Sequence, residues 1–423
     1  MADAAAPPGR CGIDSVEIAR IERLLAETPK DGLARFWSEQ ELADAGDGPG
    51  RAASLAARFA AKEACAKLFP RETALGQIVP EDFSVRRDNY GAPQVVAAPN
   101  AAAAMGRHRI GGIALSLTHD RTSASAVALA EPATTVVPMA GRILYRCLPI
   151  RRGVILENLT RVYGDTVAQD EIVRLAQAHY GHLWRLMGEF LKFRWLSQAS
   201  KTALVRVENI EALVAAIGQG KGALVLTGHF GNWEVATIAG IGNYPEVRGR
   251  FHFVRRAIKP KWLDALVTRR FNKAGFGVLP KRGSLDAILA TLAAGDMIVF
   301  PFDQHARPPD GIAVDFFGHP AWTFKSLAII ALATGAPVLP ATSWREPDGH
   351  HVLRFEDALA PIERDNTNDA IRANTRAYNE TLERLILARP EQWYWVHRRW
   401  KIVRGKGAAS APKRDGSIGG IKL

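Results

Sequence analysis

Short apolar runs that end at glycine or at a polar residue alternate with longer stretches of helical period over much of the chain. The clearest lies at Ala223 to Glu234, ALVLTGHFGNWE. LVLT has the length and the Val and Leu content of a buried strand, Gly228 and Gly231 break the chain on either side of His229, and helical spacing resumes at Trp233. A strand that turns sharply into a helix leaves its turn residues at the carboxyl edge of a sheet, where open α/β folds place ligands. DMIVFPFDQ (296–304) repeats the theme as a buried strand ending in Asp303 and Gln304. SLAIIALATGAPVLPA (326–341) reads as a buried helix broken at Gly335 and Pro337 before a strand. Residues 171–193 and 366–389 read as long helices, the second of them amphipathic.

The pattern differs near the beginning. After CGID, a strand end, Val16, Ile18, Ile21, Leu24 and Leu25 suit the packed face of a helical segment, and residues 30–53 are polar and Gly-rich. SLAARFAAKEACAKLF (54–69) is the strongest helix of this part, with Ser54 as N-cap and Pro70 as stop. Short alternating segments follow, with turns at Asn89-Tyr90-Gly91 and around Asp120. An α+β unit over 1–132 therefore precedes an α/β unit over 133–404, the latter with a central mixed sheet flanked by helices. EPATTVVPMAG (131–141) is the linker candidate, and 405–423, small and polar, is expected to be disordered. A length of 423 residues fits two to three domains.

Charge separates the same two parts. Residues 1–132 hold 15 Lys and Arg against 17 Asp and Glu, so the net +12 of the chain is −2 there and +14 in the remainder, which also holds nine of the ten tryptophans. Basic surface with tryptophan suits an anionic membrane face, whereas no nucleic-acid motif accompanies the charge. Cys11, Cys65 and Cys147 have no CxxC spacing and suit a reducing compartment without disulfides. MADAAAPPGR does not read as a secretory signal, and no apolar run reaches 18 residues. VVPMAGRILYRCLPIRR (136–152) is too short and too charged to cross a membrane but is suited to lying on one. A cytoplasmic protein, peripheral on the inner membrane, is the expectation. Trp393, Trp395 and Trp400 with Arg398, Arg399 and Lys401 fit either a core lid or an interfacial anchor.

His229 and Glu234 are five residues apart, so His229 sits in the turn and the first-turn carboxylate is placed to fold back on its ring, leaving the other nitrogen to take a proton from a hydroxyl. Read alone, a satisfied turn histidine and a capping glutamate explain the pair equally well. HFGNWE, followed by FDQ, DFFGHPAWT (315–323), ATGAPVLPA (333–341) and ARPEQWYWVHRRWK (388–401), resembles the lipid A biosynthesis (lauroyl/myristoyl) acyltransferases over about 140–404. The resemblance implies transfer of an acyl chain from a thioester to a hydroxyl or amine of a lipid or glycolipid, with His229 and Glu234 catalytic and Asp303 and Gln304 in the substrate cleft. Arg256 in FVRRAIKP matches an arginine of that family's YRP-like motif, without the proline, and is a candidate for phosphate or oxyanion binding. The membrane-spanning helix with which that family usually begins has no counterpart here.

In the first part, Asp14 and Glu63 with Arg58, Lys62 and His119 suit magnesium-assisted phosphate chemistry, although a solvated helix face explains the spacing as well. GIDSVEIARIE, FWSEQE, SLAARFAAKEA, DNYGAP and SLTH occur in the order found in holo-acyl-carrier-protein synthases, the 4′-phosphopantetheinyl transferases that this part resembles over about 11–131. That resemblance implies Mg²⁺ at Asp14 and Glu63, Glu63 also being catalytic, and coenzyme A as substrate near Arg58, Lys62 and His119. It also implies acyl carrier protein as partner and a homo-oligomer, commonly a trimer, because the family builds its site between subunits and only one copy is present. LFPRETALGQ (68–77) stands where that family has a Gly-containing loop. Two further readings keep the acyltransferase alone, with the first part as an oligomerisation and carrier-docking module, or make the chain a non-catalytic membrane-surface scaffold.

Overall fold

The computed structural model describes residues 10–74, 78–193, 195–255, 259–280 and 283–401. Arg256 and the 405–423 tail, both singled out in the sequence, lie outside the described residues.

The first part carries strands β1 (Cys11–Glu17), β2 (Phe83–Arg87), β3 (Pro93–Ala97), β4 (Ile110–His119) and β5 (Ser123–Pro132). An antiparallel sheet of order β1-β5-β4 is covered on one face by the helix Arg51–Ala66, while β2 and β3 form a separate hairpin. Small side chains let helix and sheet approach closely: Ala124, Ala126 and Ala128 face Ala60, Ala61 and Ala64 in one core. At Gly12 a Cβ would lie 2.0 Å from the Ala64 carbonyl oxygen, so β1 crosses that helix where no other residue fits. The helix starts earlier than Ser54 suggests, with Gly50 at its cap. Ser54 instead accepts a hydrogen bond from Arg58 Nη1 at 2.5 Å. Residues 30–53 are also more ordered than their composition implies, because Ser38 and Glu41 form a capping box that starts the helix Glu39–Ala45.

The second part adds β6 (Val205–Glu208), β7 (Ala223–Thr227), β8 (Phe251–Arg255), β9 (Phe276–Pro280), β10 (Met297–Pro301), β11 (Gly311–Phe316), β12 (His319–Phe324), β13 (Val338–Arg345) and β14 (His351–Phe355). Seven of these make a mixed sheet of order β6-β14-β13-β7-β10-β8-β9, parallel throughout except between β13 and β14. Its central strand explains the continuous apolar run in the sequence. Leu224 and Leu226 enter a core with the helices Arg152–Tyr163, Gln169–Phe193 and Thr367–Ala388, while Ala223 and Val225 enter another with Ile210–Ile217 and Trp233–Gly240. A strand covered on both faces has no polar alternation. Ser326–Thr334 is a helix that closes at Gly335 (φ 65°) before β13, as the apolar run at 326–341 predicts.

Trp393 and Trp395 are 0% exposed and Trp400 7%, which settles the choice left open for that cluster: it is core. Among the described residues, the exposed tryptophans are Trp184, Trp195 and Trp262. No helix among those residues is long and apolar enough to cross a membrane.

The linker is shorter than the proline-rich stretch 131–141, because β5 runs to Pro132 and the next helix, Met139–Cys147, begins soon after. The two parts meet directly. The Ala-rich helix Pro99–Arg107 packs on Thr367–Ala388, and a Cβ on Gly106 would lie 2.8 Å from the Cβ of Leu387. Thr166 Oγ1 donates to the Arg107 carbonyl at 2.9 Å, and Arg109 Nη2 donates to Glu171 Oε1 at 2.9 Å.

Candidate active sites

The site of the second part follows from strand register. β7 and β10 are parallel neighbours with Thr227 opposite Pro301, and each chain runs two residues past that pair to its functional side chain, His229 and Asp303. Residues 74 positions apart thus meet at one sheet edge. His229 Nδ1 lies 2.9 Å from Asp303 Oδ1, and the His229 backbone N–H donates to Asp303 Oδ2 at 2.8 Å. Trp393 Nε1 also donates to Oδ2, at 2.9 Å. A carboxylate accepts only, so Nδ1 carries a hydrogen and Nε2 keeps its lone pair.

Burial works against charge on the ring of His229, but the adjacent Asp303 carboxylate outweighs it and the pKa rises. For Asp303, burial pushes the pKa up while the His229 charge and hydrogen bonds pull it far below the carboxylate range. His397 packs edge-on with ring centroids 5.3 Å from His229, and burial lowers its pKa. The turn itself needs its glycine: Gly231 has φ 52°, and a Cβ there would lie 2.7 Å from the Ser343 carbonyl oxygen.

The expected partner of the histidine was Glu234. It lies in the first turn of the helix Trp233–Gly240, but the carboxylate on Nδ1 is Asp303. Asp303, expected in the substrate cleft, is 0% exposed behind the ring, with Gln304 half-buried beside it. Trp393, His397 and the residues that hold the turn were not singled out as site residues; the one available signal was the tryptophan-rich stretch after residue 390, whose placement depends on the tertiary fold.

In the first part, Asp14 faces the helix side of β1, and Asp14 Oδ1 accepts from Lys67 Nζ at 2.7 Å. Glu63 is one helical turn before Lys67 and half-buried. His119 ends β4, exposed, on a strand joined to β1 through β5. Arg58 and Lys62 go elsewhere than expected. Both are buried, Lys62 Nζ donating to Glu41 Oε2 at 2.8 Å and to the Phe36 carbonyl at 2.6 Å, and Arg58 lying 3.9 Å from Asp44. No set of three or more His, Cys, Asp or Glu gathers for a metal among the described residues. Mg²⁺ keeps several waters and completes its shell with substrate phosphates, so it needs few protein ligands. Asp14 and Glu63 are the carboxylates that would hold it, and Asp14 is bonded to Lys67 instead.

An imidazole whose Nε2 has no hydrogen-bond partner among the described residues, oriented by a buried carboxylate at a sheet edge, is chemically able to take a proton from a hydroxyl. Residues 130–402 match the family model of bacterial lipid A biosynthesis acyltransferases and residues 10–118 that of the 4′-phosphopantetheinyl transferase superfamily. The chain belongs to the lipid A biosynthesis acyltransferase family, fused behind a domain of the holo-acyl-carrier-protein synthase type, and both domains are transferases. A phosphatidylinositol mannoside acyltransferase of Mycolicibacterium smegmatis is 27% identical over 248 residues, 57% of this chain and 77% of that one. A holo-[acyl-carrier-protein] synthase of Treponema denticola is 40% identical over 121 residues, 28% of this chain and 95% of that one. A Helicobacter pylori holo-[acyl-carrier-protein] synthase, solved with coenzyme A, is 28% identical over 29% of this chain and 99% of that one, at TM-score 0.25.

Proposed function

We propose that the chain transfers 4′-phosphopantetheine from coenzyme A to a serine of an acyl carrier protein through its first domain. Its second domain would move an acyl chain from a thioester, carried by that protein, to a hydroxyl of a membrane lipid or glycolipid. The His229–Asp303 pair is the observation that carries the second activity. Nε2 takes the acceptor hydroxyl proton as oxygen attacks the thioester carbonyl; the C–S bond breaks, and the thiolate leaves with the proton returned by the imidazolium. Asp303 holds the tautomer and stabilises the imidazolium. Relatives named for phosphatidylinositol mannoside support a sugar-bearing acceptor.

In the first domain, Asp14 and Glu63 are the cation ligands and His119 faces the coenzyme A phosphates. Bound Mg²⁺ would neutralise phosphate charge. A homotrimer through this domain is supported by the uncovered sheet face, where Ile13 is 63% and Leu129 49% exposed. Contact with an anionic membrane is supported by the exposed Met139, Ile143, Trp184, Met187, Phe190 and Leu191 beside Arg142, Arg146, Arg185 and Lys192. A peripheral position on the cytoplasmic face of the inner membrane goes with that contact. His229→Ala tests the central claim: acyl transfer should fall about 10²- to 10⁴-fold while phosphopantetheine transfer persists. Unchanged acyl transfer would refute it.

A further inference from the structure

The turn that carries His229 is held from beneath by a charged cluster that the proton transfer does not use. Arg345, at the end of β13 and 7% exposed, makes a two-pronged ion pair with Glu189 of the helix Gln169–Phe193: Nε donates to Oε1, and Nη2 to Oε2 at 2.7 Å. Glu189 Oε2 also accepts from Asn232 Nδ2 at 3.0 Å. Asn232 is 3% exposed, ends the catalytic turn, and caps the helix Trp233–Gly240 by accepting from the Val235 N–H at 3.3 Å. Arg345 reaches the turn by a second route. Its backbone N–H donates to Gln392 Oε1 at 2.8 Å, and the Gln392 carbonyl accepts from the Gly231 N–H at 2.9 Å.

We infer that Glu189 and Arg345 are positioning residues for acyl transfer, acting through Asn232 and Gln392 to fix the turn on which His229 meets Asp303. The physical reason is directional. Asp303 fixes the ring from the β10 side, but a ring bonded to one carboxylate still moves with its backbone. The backbone from Gly231 to Asn232 is anchored through groups that Arg345 and Glu189 hold in place. A bidentate guanidinium–carboxylate pair sets both distance and plane, which a single hydrogen bond does not. A displacement of about 1 Å of a catalytic group costs on the order of 10²-fold in rate. The inference rests on the reading of His229 as general base.

The test reverses one hydrogen bond. Asn232→Asp alone sets two carboxylates against each other across a 3.0 Å contact. It should lower kcat for acyl transfer about 10- to 10²-fold, with KM for both substrates little changed and the pH midpoint displaced. In the double variant Asn232→Asp with Glu189→Gln, the glutamine amide donates to the carboxylate introduced opposite it and its oxygen still accepts from Arg345 Nε, but the amide nitrogen now stands where Oε2 accepted from Arg345 Nη2, so the pH midpoint should return toward wild type while kcat recovers only in part. Should the single variant melt at the assay temperature, Asn232→Ser replaces it, since serine keeps the helix cap but cannot reach Glu189. Wild-type kcat and pH midpoint in the folded single variant, or a double variant no better than the single one in either readout, overturns the proposal. His229→Ala, assayed alongside, separates the two claims. Retained acyl transfer there removes the general-base reading and this proposal with it. Its abolition, together with an unaffected Asn232→Asp, overturns the positioning role alone.

Discussion

Replacing Asp303 perturbs the acyltransferase site without touching the nitrogen proposed as the base. The carboxylate accepts three hydrogen bonds, from His229 Nδ1 at 2.9 Å, the His229 N–H at 2.8 Å and Trp393 Nε1 at 2.9 Å, in a place with no exposure to solvent. In Asp303→Asn the amide has one acceptor oxygen for these donors. With that oxygen on the backbone and indole N–H groups, the amide nitrogen faces Nδ1 and drives the ring proton to Nε2, the atom that must receive one. A tautomer error of this kind costs up to about 10⁴-fold in kcat, with about 10²-fold as the lower expectation. The pH profile gives an independent sign. Burial lowers the His229 pKa and Asp303 raises it, with a net rise, so wild-type activity should fall as pH drops through a midpoint above the ordinary histidine value of about 6.5. Without the carboxylate only burial remains, and the midpoint of the residual activity should move to lower pH. Asp303→Ala leaves buried donors without an acceptor and should destabilise the chain by about 3–5 kcal/mol, read from denaturant midpoints. Thiol release from an acyl thioester donor, followed across pH, measures both rate effects. Wild-type kcat and midpoint in a folded Asp303→Asn protein would refute the orientation argument.

Asp14→Ala or Glu63→Ala should abolish the mass gain of an apo carrier protein incubated with coenzyme A and Mg²⁺ while leaving acyl transfer intact, as read by intact-protein mass spectrometry. The full chain should sediment as a trimer, and Ile13→Asp with Leu129→Asp, which puts charge on the uncovered sheet face, should give monomers that lose phosphopantetheine transfer; active monomers would contradict this. Gly106→Leu should cost about 1–3 kcal/mol through overpacking against Leu387 and split one calorimetric transition into two. Acyl-carrier donors should outperform acyl-coenzyme A donors of the same chain, with the advantage shrinking as salt rises; equal or better use of acyl-coenzyme A would exclude carrier docking.

The elements nearest the sites were the most legible in sequence. The strand–turn–helix at Ala223–Glu234 shows because β7 is buried on both faces and because Gly231 must adopt positive φ. The helices at 169–193 and 367–388 show by period. The partner of His229 did not. Glu234 is five residues away in sequence, whereas Asp303 reaches the ring through the register of β7 on β10, which depends on strand order and on a crossover that local pattern does not encode. Lys62 and Arg58 show the opposite failure. Their four-residue spacing puts them on one helix face, but that face turns inward, where Glu41 and Asp44 offset their charge. The tryptophan cluster was ambiguous because indole suits both a core and an interface; its indole N–H groups find acceptors inside, Trp393 at Asp303 and Trp395 at the Pro390 carbonyl.

The way the two domains meet changes what their fusion accomplishes. A short flexible tether would raise the local concentration of one site for a carrier leaving the other, to millimolar order. Here the connection is too short and too well anchored to act as a tether. β5 ends at Pro132, Thr135 Oγ1 donates to Glu171 Oε1 at 2.5 Å, and Met139 already starts a helix that packs on Gln169–Phe193. Rigid docking fixes the spacing of the two sites instead of letting one search around the other. On the proposed function, a carrier that has received its thiol arm would still have to depart to be loaded with an acyl chain, so nothing would be gained by passing it directly between sites. What fixed spacing does provide is a constant orientation of the first domain relative to the apolar and basic face formed by the Met139–Cys147 and Gln169–Phe193 helices. If that face rests on a bilayer, the first domain is held at a set height and angle above it, and a trimer through the first domain can engage the membrane with all three acyltransferase faces only when its symmetry axis stands normal to the bilayer.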